Sequence, residues 1–249
     1  MNDDLDDRTV VEYFVSHLCK INCQNIKIDS IPDEQNRTSS DIDAVAGNYA
    51  IEHTSIDTIP NQRKDSNHFL QAVNLLEDGL KSIIDFRIDI TIPYSGIKVG
   101  QNWNVINASL KLWILESART LPEGRQNIHD INGIPFNFYI DKSFTRSPGV
   151  FFLRFSPIDD TLLSRIYTQL TRKAKKLQPY KDQGYITILL IESKDPALMN
   201  KGIMLESIKD AFKNRLPENV DLIWYAETYD QIEVTFSDFT KHIVRTENL

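Results

Sequence analysis

Residues 41–54, Asp-Ile-Asp-Ala-Val-Ala-Gly-Asn-Tyr-Ala-Ile-Glu-His-Thr, constrain the fold of this chain more than any other stretch. They read as two short strands joined at Gly47-Asn48, a dipeptide suited to the positive backbone angles of a tight hairpin. Carboxylates stand at the start of the first strand and near the end of the second. Side chains alternate along a strand, so Glu52 and Thr54 share one face while Ile51 and His53 share the other. A hairpin of this form can bring two carboxylates within a few ångströms. That donor set suits a hard divalent cation such as Mg²⁺, which prefers oxygen ligands and phosphate substrates.

The surrounding elements follow from periodicity. Residues 7–20 predict a helix, with Val11, Phe14, Val15 and Leu18 at helical spacing and Asp6 or Asp7 as N-cap. Residues 25–31 predict a strand and 32–40 a loop. After the hairpin come a loop over 55–65, a helix over 66–84 striped by Phe69, Val73, Leu76, Leu80 and Ile83, and a strand over 86–92. The first 93 residues thus predict helix, strand, strand, strand, helix, strand. The remainder also mixes α and β. Helices are expected over 103–118 (Val105, Leu112 and Leu115), 159–177 (Leu162, Leu163, Ile166, Leu170 and Leu177 inward) and 203–216. Strands are expected over 134–140, 150–155, 185–191 and 220–226. The segment 94–102 is the expected boundary, which would divide the chain into 1–95 and 96–249.

Composition sets outer limits. At 249 residues, 41% apolar and 25% charged, the chain can bury an ordinary core. No apolar run approaches the roughly 20 residues of a membrane span, and the acidic start Met-Asn-Asp-Asp lacks the regions of a secretory signal. Two cysteines, Cys19 and Cys23, favour neither a disulfide framework nor zinc, and the cytoplasm is the expected setting. A net charge of −7 argues against nonspecific coating of nucleic acid but leaves room for a local basic groove.

The element order and the acidic hairpin resemble the PD-(D/E)xK nuclease superfamily, the restriction-endonuclease-like fold, over about residues 7–93. The resemblance implies an α/β fold with an αβββαβ core and a mixed sheet, followed by further α/β elements. Asp43 matches the first acid, with Asp41 as the competing choice. Glu52 matches the second, and Thr54 stands where the family has lysine. Glu12 on the first helix matches the acid that often completes the metal shell. The resemblance implies catalysis by Asp43, Glu52, Thr54 and Glu12, with Mg²⁺, or Mn²⁺ in its place, held by Asp43, Glu52 and Glu12. It further implies a metal-dependent endonuclease in restriction or bacterial defence that hydrolyses phosphodiesters, with DNA preferred to RNA as partner and a second copy or another protein as further partners. A threonine hydroxyl cannot supply the lysine's positive charge. Some such families bring a cation from the next helix, and Arg63 and Lys64 are the candidates. The helix ending at Leu177 offers Arg172 and Lys176 as a phosphate-contacting face, although cations near a helix C-terminus also complement its dipole.

Other readings stay open. Asp43 and Glu52 could be solvated hairpin acids. The alternative function is a non-catalytic nucleic-acid- or partner-binding protein on a decayed nuclease scaffold, which Thr54 favours. A third option is an α/β domain with no nucleic-acid role, which the acidic balance favours. His53, pointing away from Glu52, reads as a hydrogen-bonded core histidine. Glu192-Ser193-Lys194 is a literal ExK at the end of an apolar strand, but a whole helix separates it from the preceding Asp159 and Asp160.

Overall fold

The computed structural model describes residues 5–35, 41–155, 159–193, 199–229 and 233–244. The protein is α/β, with two mixed sheets. It divides into two compact units: residues 1–58 together with 160–249, and residues 59–159. The division expected at 95/96 is therefore replaced by an insertion between two halves of one unit.

The discontinuous unit opens with α1 (Asp7–Asn22). Asp6 caps it, accepting a hydrogen bond from the Thr9 amide at 2.6 Å. Strand β1 (Ile28–Ser30) and the short helix α2 (Pro32–Gln35) follow, the latter within the expected loop. Strands β2 (Ala44–Ala46) and β3 (Tyr49–Ser55) form the hairpin, in register Ala44 to Ile51, with Gly47 at φ 58° in the turn. After the insertion come α5 (Leu162–Asp182), β8 (Ile186–Ser193), α6 (Lys201–Phe212), β9 (Leu222–Glu227), β10 (Thr235–Asp238) and α7 (Thr240–Ile243). The sheet runs β1-β2-β3-β8-β9-β10. Strands β3, β8 and β9 are parallel, and the outer pairs are antiparallel.

Both faces of this sheet are covered, which explains the unbroken apolar run of β8. On one face Ala44, Ile51, Leu190 and Trp224 meet Val10, Phe14 and Leu18 of α1. On the other, Leu189, Ile191 and Tyr225 meet Ile166, Leu170 and Leu177 of α5 and Met204 and Ile208 of α6. Leu163, expected inward, is 42% exposed, because the buried stripe of α5 steps through Ile166, Leu170, Ala174 and Leu177. The helix also runs past its expected end, carrying Pro179 within its last two turns. At its other end Arg165 donates from both terminal nitrogens to the carbonyls of Asp57 and Thr58, at 2.7 and 2.5 Å. That clamp ties the chain leaving β3 to the first turn of α5.

The inserted unit holds α3 (Gln62–Leu80), β4 (Arg87–Pro93), α4 (Trp103–Glu116), a short 3₁₀ turn at Ala118–Thr120, β5 (Gly124–Ile128), β6 (Phe138–Ser143) and β7 (Gly149–Phe155). Its sheet runs β5-β6-β4-β7, with β4 antiparallel to β6 and parallel to β7. The helix and strand expected to complete the hairpin's own core, α3 and β4, thus belong to this second sheet. The reason is local in space: β4 finds its partners in β6 and β7, and Phe69, Val73, Leu76 and Leu80 of α3 pack against Ile88, Ile90 and Phe152 in one core. Helix α4 buries Ile106, Leu110, Trp113 and Ile114, while Val105, Leu112 and Leu115 are turned out.

Lys142 stands out in this core. It is fully buried, its Nζ donates to the carbonyls of Ala118, Arg119 and Leu121 at 2.8, 2.7 and 2.7 Å, and it lies 4.7 Å from the ring centres of both Phe86 and Phe144. The ammonium caps the carbonyl end of the 3₁₀ turn. Lys142→Met keeps the stem but strands those carbonyls. It is expected to destabilise the inserted unit by roughly 1–3 kcal/mol, the cost of unpaired buried polar groups, measured as a lowered urea midpoint.

Candidate functional site

The alternation of β3 sorts its polar side chains onto opposite faces. Glu52 and Thr54 point towards α5, and His53 points towards α1.

Glu52 is fully buried. Its Oε1 lies 2.5 Å from Lys173 Nζ and 3.1 Å from Lys176 Nζ, both on α5. Oε1 is thus held in a buried double ion pair, while Oε2 has no hydrogen-bond partner among the described residues. Asp43 immediately precedes β2, next to the Ala44–Ile51 pair, and lies close enough for its charge to act on Glu52. Its amide donates to Ile51 O at 3.1 Å, and its Oδ2 accepts the His53 amide at 2.6 Å. Burial, with the charge of Asp43 added, pushes the Glu52 carboxyl up to about 7, and Lys173 and Lys176 only partly oppose that shift.

Helix α5 supplies a complete polar stripe to this side of the hairpin. Gln169 Nε2 donates to Thr54 Oγ1 at 2.7 Å and to Ser55 O at 2.9 Å. Lys176 Nζ donates to Asp41 O at 2.7 Å, and the Tyr180 hydroxyl donates to Asp41 Oδ1 at 3.0 Å. Burial and the Asp41 carboxylate push the Tyr180 phenol up to about 12, so it stays a donor. Residues 169, 173, 176 and 180 follow each other at steps of four, three and four, the spacing of one helix face. That signal was present in the sequence. It is easily overlooked because the stripe is polar and flanks the apolar one.

The remaining candidates lie elsewhere. Glu12 is exposed on α1 and pairs with Arg8 at 3.0 Å. Helix α1 covers the His53 face, so Glu12 does not join Glu52. Arg63 and Lys64 stand in the first turn of α3, in the inserted unit. Lys64 is exposed, and the side chain of Arg63 lies outside the described residues. Arg172 is exposed on α5, whereas Lys176 is turned inward to Glu52 and Asp41 instead of forming an outer face with it. Asp41 is engaged with Tyr180 and with the Ile42 amide at 2.8 Å, and Asp43 with the His53 amide at 2.6 Å.

On the opposite face, His53 is 3% exposed. Its Nδ1 lies 3.9 Å from Asp7 Oδ1, and its Nε2 lies 3.2 Å from Glu192 Oε2. Glu192 is itself fully buried and accepts the Thr228 hydroxyl at 2.5 Å through Oε1. The acid of the ExK sequence therefore faces a histidine, and Lys194 lies outside the described residues.

Compared with models of protein families, with curated proteins and with solved structures, the chain matches none. Its chemistry must be argued from its own residues.

The raised Glu52 carboxyl has a thermodynamic consequence. Its folded value of about 7 lies above its ordinary 4.5, so its protonation stabilises the fold fully below 4.5. That contribution is lost as pH rises through 7. In a chelator, wild-type stability should fall between pH 5 and 8 by an amount that Glu52→Gln lacks. Urea midpoints of the two proteins across that range check it.

Proposed function

We propose that this protein is a metal-dependent nuclease whose discontinuous unit follows the restriction-endonuclease-like plan, with Asp43 and Glu52 as ion ligands and Lys173 in the role of the missing motif lysine. The observation that carries this reading is the buried Glu52, within reach of the Asp43 charge and contacted by Lys173. Element order supports it. With residues 59–159 and the four-residue α2 set aside, the unit reads α1-β1-β2-β3-α5-β8, a helix, three strands, a helix and a strand, with β8 parallel to β3.

The donor set fits a hard cation, because the buried Glu52 Oε2 has no hydrogen-bond partner among the described residues and Asp43 adds further carboxylate oxygen nearby. Such an ion would neutralise phosphate charge and acidify a water beside it. The chain's own residues supply the rest. Glu52 must lose its proton to bind an ion, so activity should rise as pH passes through about 7. Lys173, brought to the hairpin from α5, offers the charge that Thr54 cannot, and on cation binding its ammonium can turn from Glu52 towards the phosphate. Gln169 fixes Thr54 and the end of β3, and Tyr180 fixes Asp41 at the start of the hairpin. The substrate under this reading is DNA in preference to RNA, with Mg²⁺ or Mn²⁺ as ion and a reducing compartment as setting.

A specific observation favours the alternative of a decayed scaffold. Lys173 and Lys176 already neutralise Glu52, and Thr54 is tied to Gln169, so the cluster could serve as a structural ion pair.

The two readings separate in one experiment. Plasmid and linear DNA are incubated with protein and Mg²⁺ or Mn²⁺, against EDTA. The nuclease reading expects cleavage that Glu52→Gln abolishes and Lys173→Met lowers by about 10²–10³-fold, the usual loss of one electrostatic contributor. Arg172→Ala should change it little. A folded wild-type protein inert on DNA and RNA with both ions, and binding neither ion by calorimetry, would leave only the scaffold. No helix among the described residues is long and apolar enough to cross a membrane.

A further inference from the structure

We propose that Asp7, His53 and Glu192 bind a borderline divalent transition ion of the Zn²⁺ class, on the face of the sheet opposite Glu52. The inference stands independently of the nuclease reading, because no residue is shared with the Asp43–Glu52 pair.

Three distant parts of the sequence converge here: the first turn of α1, the end of β3 and the end of β8. One ligand atom from each residue lies within 4.8 Å of the other two. Metal–ligand bonds of about 2.0–2.2 Å in a tetrahedral site put neighbouring ligand atoms roughly 3.3–3.6 Å apart. The 3.2 Å between His53 Nε2 and Glu192 Oε2 is already close to that spacing. His53 Nε2 is buried and makes no directed hydrogen bond among the described residues, so its alignment suits an ion better than a proton. Asp7 faces the other ring nitrogen, Nδ1, at 3.9 Å, and its side chain, 70% exposed, swings towards Nε2 to join Glu192 around one ion.

The surroundings are arranged as a ligating carboxylate requires. Thr228 donates to Glu192 Oε1 and so aims Oε2 at the histidine, as outer hydrogen bonds commonly orient metal ligands. The His53 backbone is held separately, its amide donating to Asp43 Oδ2 at 2.6 Å. A divalent ion would offset the charge of the fully buried Glu192 carboxylate, which is costly to leave unpaired. The imidazole nitrogen selects the class of ion. Mg²⁺ and Ca²⁺ demand oxygen ligands, whereas Zn²⁺ accepts one nitrogen and two carboxylates with a water in the fourth position.

Co²⁺ serves as a spectroscopic probe for Zn²⁺ in the full chain, stripped beforehand with chelator. The expected result is one Co²⁺ per chain with a visible absorption band of nitrogen–oxygen coordination, displaced by equimolar Zn²⁺ and unaffected by excess Mg²⁺. Glu52→Gln should retain the band, because it lies on the other face. His53→Gln should abolish it, and Asp7→Asn should weaken binding by at least about 10-fold. Asp7 is at the surface, so its variant folds and decides the matter even if His53→Gln does not. Absence of the band at millimolar Co²⁺, or binding that Asp7→Asn leaves unchanged, overturns the proposal.

Discussion

The arrangement of the discontinuous unit depends on a single burial. Glu52 sits at zero exposure in a strand that both neighbouring layers cover. A carboxylate there is costly unless it is protonated or met by opposite charge. Lys173 and Lys176 meet it, and they come from a helix separated from β3 by the whole inserted unit. Those contacts fix the rotation of α5. Once Lys173 and Lys176 face the hairpin, Gln169 and Tyr180 must face it too, and Leu163 must turn outward. Arg165 secures the same helix at its first turn by holding the carbonyls at the exit of β3. The insertion of residues 59–159 is tolerated because the elements on either side of it are joined by contacts that do not pass through it.

One strand thus carries two different chemistries on its two faces. Glu52 and Thr54 share a layer with two lysines and a glutamine. His53 shares a layer with Asp7 and Glu192. The period of two along β3 keeps the sets apart, while the Asp43 carboxylate holds the His53 amide and its charge reaches Glu52. The raised Glu52 carboxyl follows from the same crowding. Burial and the neighbouring Asp43 outweigh the two lysines.

Much of the local structure was legible in the residues. Gly47-Asn48 announced the hairpin, Asp6 or Asp7 the cap of α1, and the apolar run after Gly184 a central strand. Each of these signals is short in range and acts through backbone sterics, one hydrogen bond or a burial period. Where two apolar patterns fit a segment about equally, sequence reasoning chose wrongly. In α4 it favoured Val105, Leu112 and Leu115, while the folded helix buries Ile106, Leu110, Trp113 and Ile114. The choice lies with the neighbouring layer, Phe138 and its strand, which the helix sequence does not contain.

The sequence by itself determined that Glu52 and His53 must face opposite ways, that Asp43 must stand across a tight turn from Glu52, and that α5 must carry a polar stripe beside its apolar one. These are consequences of backbone periodicity and hold in any fold that keeps those elements. Only the tertiary structure decided which helix would meet Glu52. Residues 62–80 follow the hairpin in sequence, but their apolar face is satisfied by β4, β7 and α4. Residues 162–182 come much later, yet theirs is satisfied by β3 and β8. Burial rewards complementary surfaces without regard to their separation along the chain, so the cations that meet Glu52 arrive from a helix far along the sequence.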